Sequence, residues 1–226
     1  MCGRYEVHTP VEELARRFDA ALTEEAQLLP PRYKVAPSLR IPAVRIRHER
    51  RELSALSWGL APSWAKDLSL AKPINARAEN IFDSRMFRLA IRRRRCLIPA
   101  DGFYEWHWRP AGGKQAWHVG MIDGGLFAFG GVWEYWSREQ AEPVLSCAIV
   151  VTDANRLMAK IHDRMPVIIA REDYERWLDP HLTDPGVISP LLTPYPSDEM
   201  RAYPISPRVN NARNEGPDLI QPIEPD

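Results

Sequence analysis

The amino-acid sequence predicts an α+β domain whose core is a mostly antiparallel, barrel-like β-sheet with short helices at its periphery. Three observations support this fold class. Short segments rich in aromatic and β-branched residues fill the middle of the chain, separated by glycine pairs at 112–113 and 124–125. Helical periodicity is confined to short stretches. The 21 prolines are scattered, which favours many loops and short elements over a disordered segment.

The first elements are a helix and a pair of strands. Residues 11–18 have helical spacing and follow Thr9-Pro10, which suits an N-cap and a first helical position. Residues 41–46 and 53–58 are typical of strands flanking a charged turn. Residues 83–95 predict an amphipathic helix that begins at an Asp83 cap and carries a run of arginines.

The second half of the chain is predicted to supply most of the sheet. Strands are expected at residues 96–98, 103–108, 116–122, 126–133 and 145–152. Short helices at 154–161 and 171–178 flank the apolar run 166–169. The Pro- and Asn-rich tail, residues 201–226, is expected to close over the sheet. We therefore expect a single domain over residues 1–226.

Composition limits the class of protein. The 226 residues are 45% hydrophobic, enough to bury a sizeable core. The sequence has neither an apolar run of the roughly 20 residues that span a bilayer nor a signal peptide, so we expect a soluble, cytoplasmic protein without membrane association. Cys2, Cys96 and Cys147 lack metal-ligand spacing, so we expect no disulfide framework, no metal ion and no cofactor. Cys96 and Cys147 are interpreted as buried small hydrophobes.

The overall charge does not indicate a nucleic-acid partner. Lys and Arg number 30, as do Asp and Glu, so any DNA-binding surface must be local. Basic residues do crowd one stretch, at Arg77, Arg85, Arg88 and residues 92–95. Such a run is usually a solvated helix face, and by itself it leaves DNA contact open.

Cys2 is the most informative local feature. A small residue at position 2 normally permits removal of Met1, which leaves a free 1,2-aminothiol. An α-amine titrates near ~7.7 to 8.0 and a thiol near ~8.5, so both nucleophiles are expected to be partly available at neutral pH. With an aldehyde they can close a thiazolidine; with an amide or ester the thiolate can form an acyl intermediate. Cys2 alone does not choose between these, and an incidental second residue is the alternative.

Three further polar groups are candidates for the same chemistry. Asn75, in a loop with Arg77, can orient an amine or carbonyl; taken by itself, the stretch is more typical of a capped, hydrogen-bonded structural loop. Glu105 lies among aromatic residues, where burial favours the neutral carboxyl and allows proton transfer; an outward-facing strand glutamate is the alternative. His162 precedes Asp163 and Arg164 in a loop and can act as an acid or base, or be structural.

Tryptophan supplies a candidate contact to a base. Trp64 lies in a proline-containing loop and can stack on a nucleobase, whereas Trp58 is expected in the core.

Eight short motifs occur in a fixed order: MCGRY, RYKVAP, WGLAPSW, NARAEN, SRMF, IPADGFYEW, HDRMPVII and NEGPDLIQP. Together they resemble the SOS response-associated peptidase (SRAP) family. The resemblance runs from Cys2 to about Pro222. Each motif is weakly specific, whereas their shared order is highly specific.

The resemblance implies the SRAP fold and a covalent sensor of abasic sites in single-stranded DNA. The ring-opened abasic sugar carries a C1′ aldehyde, which suits an N-terminal aminothiol. By similarity, Cys2 forms the thiazolidine DNA-protein crosslink, Asn75 positions the α-amine, Glu105 transfers protons, and His162 assists ring opening and crosslink reversal. The same four residues are implicated in autoproteolytic removal of Met1. The expected enzyme is thus an autoprocessing cysteine peptidase and crosslinking enzyme with lyase-like activity.

The resemblance also implies a DNA-contacting surface. Its members are the phosphate contacts Arg4, Arg77, Ser84, Arg85 and Arg164, the stacking residue Trp64, and the weaker candidate Thr152. Phosphate contacts supply affinity without sequence preference, as a lesion sensor requires. We expect a monomer that is nucleoid-associated when bound to DNA, with replication-fork proteins as candidate partners.

Two positions depart from the family pattern. Lys34 replaces the usual Asn of RYNVAP, which is expected either to alter a loop hydrogen bond or to add a phosphate contact. Ala65 replaces an aromatic residue often found after Trp64, which is expected to weaken stacking beside the lesion.

Two other classes of function remain open from the sequence. N-terminal-nucleophile amidohydrolases and glutaminases can also begin with MCG, but they typically continue with an apolar strand. Arg4-Tyr5-Glu6 is polar here, which favours a phosphate-bearing ligand. In a non-covalent DNA-binding module, Cys2 would be dispensable.

Overall fold

A computed structural model describes residues 2–69, 72–109, 112–139 and 141–224. Its strands are β1 (Tyr5–Val7), β2 (Ala21–Leu22), β3 (Arg32–Val35), β4 (Arg40–Arg47), β5 (Arg50–Trp58), β6 (Asn75–Arg77), β7 (Arg95–Ala100), β8 (Gly102–Trp108), β9 (Lys114–Met121), β10 (Phe127–Arg138), β11 (Ala141–Asp153), β12 (Arg164–Pro166) and β13 (Met200–Pro204). The α-helices are α1 (Val11–Arg17), α2 (Glu24–Gln27), α3 (Arg88–Arg93), α4 (Tyr174–Leu178) and α5 (Pro185–Ile188). Single 3-10 turns occupy Ala78–Asn80, Met158–Lys160, Arg171–Asp173, Ser189–Leu191, Ser197–Glu199, Pro207–Asn210 and Pro217–Ile220.

The core is a closed barrel of five strands. Antiparallel pairing joins β5, β4, β7, β10 and β11 in that order. The barrel closes where β11 returns to β5 in a short parallel pairing that aligns Cys147 with Trp58. Large side chains such as Trp58 and Phe129 are fully buried, as are Cys96 and Cys147. The predicted α+β, barrel-like fold is confirmed.

A second, antiparallel sheet in the order β13-β9-β8-β1-β3 carries the N-terminus. Strand β1 pairs with β8, with Tyr5 opposite Phe103. Beyond the barrel, β11 pairs with β6 on one side and with β12 on the other. The far end of β11 therefore gathers the two segments that carry Asn75 and Arg164.

The helices are shorter than the sequence predicts. The helix expected at 83–95 is only α3, because Ser84 lies in a turn whose backbone N–H donates to Asn80, and Arg95 already belongs to β7. The buried guanidinium of Arg95 donates to the carbonyl oxygens of Trp177 and Ile91 at 2.5 and 2.7 Å. This arginine of the basic run thus anchors α4 and α3 to the barrel and is not a solvated charge.

Two other helix predictions need correction. Residues 154–161 form a single 3-10 turn rather than a short helix. Thr9 does not cap α1: its hydroxyl donates to Asp101 at 2.6 Å, and Pro10 occupies the N-cap position. Within the described ranges, the helices lack the length and apolar character needed to cross a bilayer.

Candidate functional site

Cys2 and Asn75 meet although they lie far apart in the sequence. Parallel pairing of β6 with β11, which aligns Asn75 with Ile149, fixes the asparagine beside the N-terminal segment. Its side-chain nitrogen Nδ2 donates to the carbonyl oxygen of Cys2 at 3.0 Å. The buried Oδ1 of Asn75 makes no hydrogen bond in the described part of the chain. It is therefore an available acceptor next to the Cys2 backbone. Met1 lies outside the described residues, as does its predicted removal.

Glu105 reaches the same place from β8. The backbone N–H of Tyr104 donates to the Arg4 carbonyl at 3.0 Å, and continuing the β1–β8 register puts Glu105 opposite Gly3. Glu105 is 2% exposed, so the alternative of an outward-facing glutamate is wrong. Its negative charge acts on the neighbouring Cys2 thiol.

The state of the Cys2 thiol differs from the expectation. Cys2 is fully buried, and this burial, together with the charge of Glu105, raises the pKa of its thiol well above the ordinary range. The expected partly ionised thiol is therefore corrected to a protonated one at neutral pH. Because the thiolate is the nucleophile, this cysteine needs a base before it can attack.

The end of β11 brings together three of the predicted DNA contacts. Arg77 on β6 lies opposite Val151, and Arg164 on β12 lies opposite Asp153. Arg164 forms ion pairs with Glu79 at 2.7 Å and with Asp153 at 3.2 Å, so an incoming phosphate would compete with two carboxylates. Arg77 is exposed. Thr152, the weaker candidate, is only 8% exposed and offers little surface.

His162 lies in the turn that leads into β12. Its Nδ1 accepts a hydrogen bond from the Arg164 backbone N–H at 3.0 Å and lies 2.8 Å from the Asp163 carboxylate. The histidine is half-buried and lines a cleft whose other wall is the end of β8, the strand that carries Glu105. The structure thus brings all four predicted catalytic residues to neighbouring strands and turns.

Trp64 and Arg85 form one patch, and Ser84 directly precedes Arg85 in the chain. The Arg85 guanidinium carbon lies 4.5 Å from the centroid of the Trp64 ring, which is 37% exposed. The Ser84 hydroxyl accepts from the Met86 backbone N–H at 3.3 Å. Trp58, by contrast, is fully buried, as predicted.

Arg4 lies between the catalytic residues and the tail. Its guanidinium donates to the Gly3 carbonyl at 2.8 Å and lines a small pocket with Trp106 and Asn210. The Trp106 indole donates to the Asn210 side chain at 2.8 Å. The tail lies along the second sheet here, as the sequence predicts.

The two residues that depart from the family pattern, Lys34 and Ala65, both have structural roles. Lys34 is 5% exposed, and its ammonium donates to the carbonyl oxygens of Asn211 and Asn214 in the tail. It therefore makes loop hydrogen bonds rather than a phosphate contact. Ala65 is 1% exposed and packs with Trp136, whose indole donates to the Ala65 carbonyl at 2.9 Å. Its methyl group faces this small cluster and not the surface beside Trp64.

The sequence interpretation missed a buried side-chain contact between Glu6 and His118. Their side chains meet at 2.7 Å, and His8 lies 3.3 Å from the other Glu6 oxygen. Gly102 permits the contact, because a Cβ there would lie 2.7 Å from Glu6 and closer still to His118. An Asp101-Gly102 pair next to the Glu105 motif was the only local signal. The contact ties β1, which follows Cys2, to β9, the neighbour of the strand β8 that holds Glu105.

Known proteins resemble this chain over nearly its whole length. The sequence profile of the family described as SOS response associated peptidase (SRAP) matches residues 1–212. The abasic site processing protein YoaM of Bacillus subtilis is 39% identical, with 97% of each chain covered. The abasic site processing protein YedK of Escherichia coli is 29% identical over 99% of this chain and 100% of its own.

The fold is also shared. A crystal structure of a Bacteroides thetaiotaomicron protein superposes with a TM-score of 0.90 at 27% identity, covering 99% of this chain and 100% of that one. The profile match, the identity to YoaM and the common fold agree with the eight ordered motifs. This chain belongs to the SOS response associated peptidase (SRAP) family.

Proposed function

We propose that this protein processes abasic sites in single-stranded DNA by forming a covalent thiazolidine link between Cys2 and the ring-opened sugar aldehyde. The observation that carries the proposal is the contact of Asn75 with Cys2, beside the buried carboxyl of Glu105. The relatives YoaM and YedK are named abasic site processing proteins, which supports the substrate class.

The chemistry begins once Met1 has been removed. The Cys2 α-amine attacks the C1′ aldehyde, and the hydroxyl of the resulting carbinolamine leaves as water to give an imine. The free Oδ1 of Asn75 accepts from the amine and orients it. Glu105 takes the proton that the amine loses and returns one to the departing hydroxyl.

The thiol closes the ring in the second step. The Cys2 sulfur adds to the imine carbon while its proton passes, through Glu105, to the imine nitrogen. A C–S bond and an N–H bond form, and the overall reaction releases one water. Because the pKa of the buried Cys2 thiol is raised, we assign the first attack to the amine and the second to the thiol.

The remaining proposed roles belong to residues around the same site. His162 assists opening of the sugar ring and reversal of the link, which is the lyase-like part of the activity. The residues Cys2, Asn75, Glu105 and His162 also release Met1 as a self-processing peptidase. Phosphates bind Arg4, Arg77, Ser84, Arg85 and Arg164, with Thr152 at the margin, and a base stacks on Trp64.

A denaturing gel tests the proposal. The processed protein is incubated with single-stranded DNA that carries an abasic site, and a shifted band that survives denaturation is expected. Cys2→Ala and a protein with a tag before Cys2 should both give no band, because one lacks the thiol and the other the free amine. A band from either variant overturns the thiazolidine. Cys2-dependent hydrolysis of glutamine without a DNA adduct would instead favour the amidohydrolase class.

A further inference from the structure

We propose that the cleft between the end of β8 and the His162 turn is a second nucleotide subsite, in which Trp108 stacks on a base next to the abasic site. This inference rests on the proposed function and extends its DNA-binding surface. Trp108 is not among the residues that the family motifs supply.

Trp108 is exposed, and a lysine ammonium lies over its ring. It is 67% exposed at the end of β8, where it lies directly opposite Lys114 of β9. The Lys114 ammonium lies 4.7 Å from the centroid of the Trp108 ring. The pair repeats the arrangement of Trp64 and Arg85, an exposed indole with a cation over its face. An aromatic face next to a positive charge suits a base and its phosphate.

The cleft beside Trp108 shares His162 with the candidate active site. Its volume is about 540 Å³, within the range of small-ligand clefts, and His107, Trp108, Lys160 and His162 line it. Side chains alternate along a strand, so His107 faces the same side of β8 as Glu105, about 7 Å further on. Trp108 starts from the other face of β8 but is the last residue of the strand, and it lines the cleft together with His107. A strand with its lesion at Cys2 and Glu105 therefore reaches this cleft with the next nucleotide.

The charges in the cleft favour a base over a phosphate at its wall. Asp153 and Asp163 also line the cleft. The Asp153 carboxylate pairs with Arg164 at 3.2 Å, and the Asp163 carboxylate lies 2.8 Å from Nδ1 of His162. A phosphate placed against these carboxylates would be repelled. The exposed ammonium of Lys114 lies over the Trp108 ring, and the exposed Lys160 lines the cleft. We therefore assign the base to the Trp108 face and the flanking phosphates to these two lysines.

Binding to a non-reactive substrate isolates this subsite from the crosslinking chemistry. Cys2→Ala protein is titrated with single-stranded DNA in which a tetrahydrofuran replaces the abasic sugar. The full strand is compared with strands that end at the lesion on the 5′ or the 3′ side. Trp108→Ala should raise the Kd by about 5- to 150-fold on the full strand and on one truncated strand. The other truncated strand lacks the stacked nucleotide, and on it the Trp108→Ala variant should have the same Kd as the Cys2→Ala parent.

Two further variants complete the test. Tyr135→Ala removes an aromatic residue that is 51% exposed on β10, and it should leave the Kd unchanged on all three strands. Lys160→Gln should lower the slope of log K against log salt concentration by about 0.7, as expected for one lost contact to a single strand.

The subsite is overturned if Trp108→Ala binds the full strand as tightly as its parent, or if it weakens all three strands equally. The proposed function is judged separately, on the denaturing gel with Cys2 intact. Nucleotide-dependent loss at Trp108 without a crosslink would retain the subsite and reject the thiazolidine. A crosslink without that loss would retain the thiazolidine and reject the subsite.

Discussion

The side chain of Asn75 donates a 3.0 Å hydrogen bond to the carbonyl oxygen of Cys2, across 73 positions of sequence. The contact fixes the backbone of the proposed nucleophile from a strand edge rather than from its own segment. Because Nδ2 is used by this carbonyl, the buried Oδ1 is left for the α-amine. One amide thus contacts the Cys2 carbonyl and keeps an acceptor available for the α-amine.

Asn75→Asp should slow crosslinking by about 5- to 150-fold, because a buried acceptor loses its donor at a cost of about 1–3 kcal/mol. The measurement is the single-turnover rate of adduct formation on abasic single-stranded DNA. Asn80→Ala, at an exposed asparagine in the same motif, is the matched control and should react as the parent does. Equal rates for Asn75→Asp and the parent would remove the positioning role.

Glu105→Gln should slow crosslinking by about 10²- to 10⁴-fold, the usual contribution of a general acid or base. DNA affinity should change far less, because it depends on the arginines. Glu79→Gln provides the opposite control: it frees Arg164 from an ion pair and should alter affinity rather than chemistry. Proton transfer by Glu105 is refuted if rate and affinity fall together.

His162→Asn should change the rate at which a finished link is released. An asparagine oxygen can still accept from the Arg164 N–H, so the turn is retained while the acid-base group is lost. Release is followed by adding excess competing abasic DNA and measuring how fast labelled DNA leaves the protein. His181→Asn, at an exposed histidine elsewhere, should have no effect. Unchanged release from His162→Asn would exclude the reversal role.

The Glu6–His118 pair should govern acid stability. Burial alone would raise the pKa of Glu6, but its contacts with His118 and His8 outweigh burial and lower it. This carboxylate therefore stabilises the fold above the ordinary pKa of Glu, about 4.3, and its contribution is lost as pH falls through the lowered value. Thermal unfolding between pH 3 and 7 should show a steeper acid loss for the parent than for Glu6→Gln, and parallel curves would contradict this.

The contribution of His8 to stability depends on pH in the opposite direction to that of Glu6. Its contact with Glu6 raises its pKa, so its contribution is complete below about 6.5 and is lost as pH rises through the raised value. His118→Ala removes the nearer of the two histidines that contact buried Glu6, and it should lower the free energy of unfolding by up to about 3–5 kcal/mol. Gly102→Ala should reproduce part of that loss, because the added Cβ displaces the same pair.

Trp64 and Arg85 should bind DNA as a coupled unit. Trp64→Ala should weaken single-strand binding by about 1–3 kcal/mol, and the double variant with Arg85→Ala should lose less than the sum of the two. The physical reason is the 4.5 Å contact between the guanidinium and the ring. Arg45 lies at 4.7 Å over Trp133, away from this patch, and Trp133→Ala should leave DNA affinity unchanged. Strict additivity would show that the two side chains act independently.

The sequence alone determined the class of fold and the types of reacting group. Alternating aromatic and β-branched residues specify strands, and the segments predicted at 96–98, 103–108 and 145–152 lie within β7, β8 and β11. Local periodicity is set by neighbouring residues, so it can be read without the fold. The aminothiol of Cys2 is likewise a property of its own residue.

Only the tertiary structure decided where those groups meet and in what state. The parallel returns of β11 to β5 and to β6 close the barrel and bring Asn75 to Cys2, and such long-range register leaves no local pattern. Burial raises the pKa of the Cys2 thiol, directs the Lys34 ammonium to carbonyl oxygens of the tail and packs Ala65 against Trp136. Burial and charge are properties of the surroundings, so the chemistry of this N-terminus was decided by strands distant in sequence.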